Sequence, residues 1–145
     1  MKHASWTKAA SIALALATGG AVAVLTPSSP AVAFFSGGLF LDIAVQSPAT
    51  LIARGAAIEV PVNITCNSNN TFVNVQVNQR VGKKIASGSG DAQVACTGGH
   101  QRILLSVPAS GVPFASGTAF ATGFIFGCLS FCANEQSSAT IQIQR

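Results

Sequence analysis

Charge is scarce in this sequence. Only 8% of its 145 residues are charged: eight Lys or Arg, and four Asp or Glu. Paired-carboxylate hydrolysis needs two carboxyl groups flanking one bond, and the four acids, Asp42, Glu59, Asp91 and Glu135, stand apart from one another. Tyrosine is absent, and Trp6 is the only tryptophan. Outside the N-terminus no apolar run is long enough to cross a bilayer, which excludes a multi-span membrane protein. The chain is nevertheless apolar, with 49% hydrophobic residues, which argues against intrinsic disorder. Its length fits one domain and excludes a large multi-domain enzyme.

The N-terminus reads as a secretory signal. Lys2, His3 and Lys8 form a basic start, Ala9 to Leu25 is an uncharged Ala- and Leu-rich stretch, and Thr26 to Pro30 breaks any helix. Ala31-Val32-Ala33 then supplies a small-x-small cleavage site. The spacing predicts a signal over residues 1–33, a mature single domain over 34–145 starting at Phe34, and no membrane anchor after cleavage. That domain carries six basic and four acidic residues, a net charge of +2, so nucleic-acid binding is not expected. It keeps one histidine, His100, and Phe is its only aromatic type.

Four cysteines remain: Cys66, Cys96, Cys128 and Cys132. An even count in a small exported chain reads as a disulfide framework. Three pairings are possible, and Cys66–Cys96 with Cys128–Cys132 is favoured, because three residues between the last two suffice for a turn. A zinc site wants paired short spacings. Only one short pair is present, so neither metal nor cofactor is expected.

Period-two alternation recurs along the domain. It marks Leu41–Val45, Ile58–Ile64, Val73–Val77, Ile103–Val107, Thr118–Phe126 and Ala139–Ile143. Shorter strands flank Ser87-Gly88-Ser89-Gly90, a loop is expected over Pro108–Gly117, and Pro61 suggests an edge strand or a bulge. Turn signals at spacings near ten residues, with no helical stretch between, predict an all-β fold: an immunoglobulin-like Greek-key sandwich of about seven or eight strands stapled by two disulfides.

No residue set announces catalysis. His100 follows Thr97-Gly98-Gly99 and has no neighbouring nucleophile, so an exposed turn position is the plain reading. Arg80, Lys83 and Lys84 read as hairpin charges that discourage strand-to-strand aggregation, with a contact for anionic envelope polymers or lipid headgroups as the other reading. The phenylalanines are more suggestive. Phe120, Phe124, Phe126 and Phe131 gather around the Cys128–Cys132 turn, with Phe120, Phe124 and Phe126 on one strand face. Two readings stand: an inward core row, or a Phe-lined cleft for an apolar ligand.

Some of these features resemble a known group. Val94-Ala95-Cys96-Thr97-Gly98, the spaced Phe114, Gly117, Ala119 and Ala121, Cys128-x-x-x-Cys132, and the terminal Ile141, Ile143 and Arg145 resemble small secreted actinobacterial proteins of unknown function. Size, export and the late short-spaced cysteine pair are more distantly similar to the neocarzinostatin-type apoproteins. That similarity implies an immunoglobulin-like sandwich able to hold an apolar chromophore. The expectation is a secreted, non-catalytic binding or structural module with an extracellular or envelope partner. A carrier of a small apolar ligand is the alternative. A protease inhibitor presenting Leu129-Ser130-Phe131 is a third reading.

Overall fold

The computed structural model describes residues 38–145; the signal expected over 1–33 and the start of the domain at Phe34 lie outside the described residues. Eight strands follow in order: β1 (Leu41–Val45), β2 (Ala49–Ile52), β3 (Ala57–Cys66), β4 (Asn70–Val81), β5 (Lys84–Val94), β6 (His100–Ser110), β7 (Gly117–Cys128) and β8 (Cys132–Gln144). The all-β class and both favoured disulfides, Cys66–Cys96 and Cys128–Cys132, are present. The strands do not part into two separate sheets. They form one sheet in the order β1-β3-β2-β8-β7-β4-β5-β6, and β3 also pairs with β6, which closes β2 to β8 into a seven-stranded barrel. Two seams of that barrel are short. β2 meets β8 in parallel only at Ala49–Ile143 and Thr50–Gln144, and β5 meets β6 only at Ser87–Ser110 and Gly88–Ala109.

Pro61 lies within β3, which has neighbours on both sides rather than a free edge. β6 runs along one side, while β1 pairs with Val62–Cys66 and β2 with Ala57–Glu59 on the other. The Pro61 carbonyl accepts from the Gln46 amide at 2.9 Å. In an antiparallel strand a residue's nitrogen and carbonyl point the same way. The ring nitrogen of Pro61 therefore faces the junction between β1 and β2, where a missing donor removes no ladder bond.

The interior is aliphatic. Ile58, Val60, Val62 and Ile64 of β3, Val73, Val75 and Val77 of β4, and Ile141 and Ile143 of β8 are buried. Each such side chain contributes about 1.5–3 kcal/mol by leaving water. Among the described residues, Phe114, from the loop between β6 and β7, is the only phenylalanine in the buried core cluster. Phe120, Phe124 and Phe126 are not core. The inner face of β7 is Ala119, Ala121, Gly123, Ile125 and Gly127, because β1 packs against it. A Cβ on Gly123 would stand 2.8 Å from Val45 Cγ2 and 3.0 Å from Ile43 Cδ1. Bulk at Gly123 would collide with β1, and the phenylalanines occupy the alternate positions, which point outward.

Several strands exceed their sequence signal. β5 runs unbroken through Ser87-Gly88-Ser89-Gly90, β6 continues through Pro108 to Ser110, and β8 begins at Cys132. Side-chain amides stand in for ladder partners where strands give way to loops. Asn67 accepts from the Phe40 amide at 2.7 Å and donates to Gly38 O at 2.8 Å. Gln101 accepts from the Thr97 amide and donates to Ala95 O, gripping both sides of Cys96. Gln79 is buried; it donates to Ala115 O at 2.7 Å and accepts from the Ala115 amide at 2.9 Å. That amide-to-peptide pair ties the loop carrying Phe114 to β4. Gln79→Ala leaves both Ala115 groups without partners and lowers stability by about 2 kcal/mol. Urea denaturation checks this: the midpoint falls while the slope stays unchanged.

Candidate functional site

The outer face of β4, β7 and β8 carries the candidate site. Unbroken antiparallel register fixes its rows. Along β7 run Phe120, Thr122, Phe124 and Phe126; opposite them on β4 stand Asn78, Gln76, Asn74 and Phe72, and on β8 Thr140, Ser138, Gln136 and Asn134. Directly opposed side chains in such a pair are about 4.5–5.5 Å apart at Cβ. The next row, on β5, is Ser87, Ser89, Asp91 and Gln93. Asp91 is the only charged side chain in these four rows. Phe120 is 51% exposed, and the facing pair Phe72 and Phe126 are each 38% exposed. Phe124 is half-buried between Asn74 and Gln136. Asn74 donates to Gly90 O at 3.2 Å, and the Thr122 and Ser138 hydroxyls are 3.2 Å apart, so the polar rows are partly braced across strands.

The phenylalanines form a ridge along the outer face of β7. Beside the ridge lies a shallow polar depression of about 240 Å³ lined by Gln76, Asn78, Ser87, Gly88, Ser89 and Ser110. A larger depression, about 700 Å³, opens elsewhere among Leu51, Arg54, Phe114, Ala115, Ser116 and Arg145. None of Phe120, Phe124, Phe126 and Phe131 lines either one. Phe131 is set apart in the β7–β8 turn, 54% exposed. There the Leu129 amide donates to Phe131 O at 2.9 Å, directly inside the Cys128–Cys132 bridge. The candidate inhibitor loop Leu129-Ser130-Phe131 is thus a minimal hairpin turn.

The remaining polar residues are dispersed. His100 lies at the start of β6, exposed, with Nδ1 2.8 Å from Thr65 Oγ1. Asp42, Asp91 and Glu135 are exposed on three different strands. Among the described residues no three His, Cys, Asp or Glu side chains are grouped as metal ligands would be. Arg80, Lys83 and Lys84 gather at the β4–β5 hairpin, where Arg80 Nε donates to Gly82 O.

The sequence signal for Phe120, Phe124 and Phe126 sharing a face was plain. The flanking row on β8 was not, because Asn134-Glu135-Gln136-Ser137-Ser138 has no apolar alternation to mark it as a strand. No known family model matches the chain, and neither does any curated protein.

Proposed function

We propose that the protein is a secreted, non-catalytic binding module that holds a neutral, hydroxyl-rich polymer of the cell envelope or extracellular space against the outer face of β7. The observation that carries this reading is the Phe ridge: Phe120 and Phe126 exposed with the half-buried Phe124 in line between them, amide and hydroxyl rows on both sides, and one charge among four rows. Large exposed apolar patches rimmed by polar residues mark interaction sites. A glycan chain has matching chemistry, with an apolar C–H face for the rings and hydroxyls for the amides and for the depression beside Gln76 and Asn78. Nothing in such a partner demands an opposite charge. Both disulfides suit an oxidising location. β1 and β2 share an edge that is antiparallel to β3 and, through β2, parallel to β8. This supports reading the barrel as a flattened Greek-key sandwich of immunoglobulin-like type, thinly closed at two seams.

Co-sedimentation with insoluble cellulose, chitin and the producer's purified cell wall tests the proposal. The protein should pellet with at least one of them, and Phe120→Ser/Phe126→Ser should weaken that binding by tenfold or more, about 1.4 kcal/mol. Both side chains are exposed, so the variant keeps the parent's thermal midpoint. Failure to pellet with any of the three, or equal pelleting of the variant, overturns the proposal.

A further inference from the structure

We infer that two copies of the chain join edge to edge through β8, forming an antiparallel β8–β8 pair about a two-fold axis at Ser137. The inference rests on the β8 edge and not on the ligand of the Phe ridge. β8 pairs with β7 along its whole length, without a bulge. On its other side, among the described residues, only β2 pairs with it, at Ile143 and Gln144. The Gln142 amide, which points away from β7, donates to Ser47 Oγ at 3.0 Å. Alternate residues of an antiparallel strand point both backbone groups the same way. Thr140, Ser138, Gln136 and Asn134 therefore direct their amides and carbonyls out of the sheet. Both faces of this stretch are exposed or half-buried, as a free edge requires.

Natural edges are usually blunted by Lys, Pro or a bulge. From Ala133 to Ile141 there is no Lys and no Pro, and Glu135 is the only charge. The sequence is also complementary to itself. Centred on Ser137, the pairing sets Gln136 against Ser138 and Asn134 against Thr140 of the second copy, matching amides with hydroxyls on the outer face. These outward-directed residues would exchange about eight backbone hydrogen bonds. Each Glu135 faces an Ala139, about 13 Å along the strand from the other Glu135, beyond the Debye length at physiological salt. Moving the axis by one residue toward the turn roughly halves that distance, so the acid selects the register. The two-fold axis is perpendicular to the sheet and leaves both Phe ridges on the same side.

Sedimentation of the purified protein from about 1 μM to about 1 mM reads this directly. The mass should double across the series. Ser138→Pro removes an outward donor and no β7 bond, so it should stay at monomer mass throughout. Ser137→Cys, placed on the axis, should give a covalent dimer that reductant separates, whereas Glu135→Cys should not. If Ser138→Pro fails to fold, the two cysteine variants decide alone. A wild-type protein that is monomeric at every concentration, or equal cross-linking by the two cysteine variants, overturns the inference. So does a Ser138→Pro dimer as stable as the parent's.

Discussion

Replacing Cys66 and Cys96 together by alanine should lower stability by about 3.5 kcal/mol, while the same change at Cys128 and Cys132 should lower it by about 2 kcal/mol at most. The first bridge spans a sequence separation of 30 and the second a separation of 4. A longer loop loses more freedom in the unfolded chain when it is closed. The folded side widens the gap. Cys66 is buried at the end of β3, and Cys96 lies beyond the end of β5. β5 pairs with β6 only at Ser87 and Gly88, so in this region the bridge does what a ladder does elsewhere in the barrel. Buried hydroxyls pack beneath it: Thr71 Oγ1 is 2.8 Å from Cys96 Sγ and hydrogen-bonds with Ser68 Oγ. Removing the sulfur leaves those hydroxyls beside a void. The Cys128–Cys132 bridge instead closes a hairpin already paired from Gly117–Ile143 to the cysteines themselves. Urea denaturation of the two double variants measures both losses. Equal losses would mean that the β5 end of the barrel is held by something other than the bridge.

What could be read from the sequence was local. Alternation located Leu41–Val45, Val73–Val77 and Thr118–Phe126, because one side of each strand meets the core and the other meets water. It grouped Phe120, Phe124 and Phe126 correctly but could not say which way they point. Bulk and apolarity favour the interior for phenylalanine; what opposes it here is β1, more than seventy residues earlier, which approaches β7 closely at Gly123 and Gly127. Closure was hidden for a related reason. It depends on two contacts of two residue pairs each, β2 with β8 and β5 with β6, and neither leaves a pattern in either partner. Asn67, Gln79 and Gln101 were illegible as clamps because an amide on a strand or in a turn looks like any solvated residue until its backbone partner is in place. Pro61 was legible as an exception, though its cause is a change of neighbour along β3 and not an edge.

Gly123→Val should destabilise the protein by about 3 kcal/mol, although local preference points the other way. Valine is among the best strand formers and glycine among the poorest, a difference of about 1 kcal/mol on host scales. On propensity alone the substitution would stabilise β7. Packing opposes it. The added Cβ would lie 2.8 Å from Val45 Cγ2 and 3.0 Å from Ile43 Cδ1, and two further methyl groups would follow. β1 cannot retreat freely, because it is paired with β3 from Leu41–Cys66 to Val45–Val62, and Asn67 holds the chain just before it at Gly38 and Phe40. Forcing volume into a filled core typically costs about 1–3 kcal/mol, and two opposed β-branched side chains place this site at the upper end. Combining Gly123→Val with Ile43→Ala makes room for the new methyl groups, so the double variant should lose less than the sum of the two single losses. Thermal or urea denaturation of the four proteins closes that cycle. The sign of the single substitution also bears on the ridge. If Gly123→Val is neutral or stabilising, β1 does not press on the inner face of β7. The steric reason for Phe120, Phe124 and Phe126 to face solvent then disappears, and the binding face proposed from them goes with it.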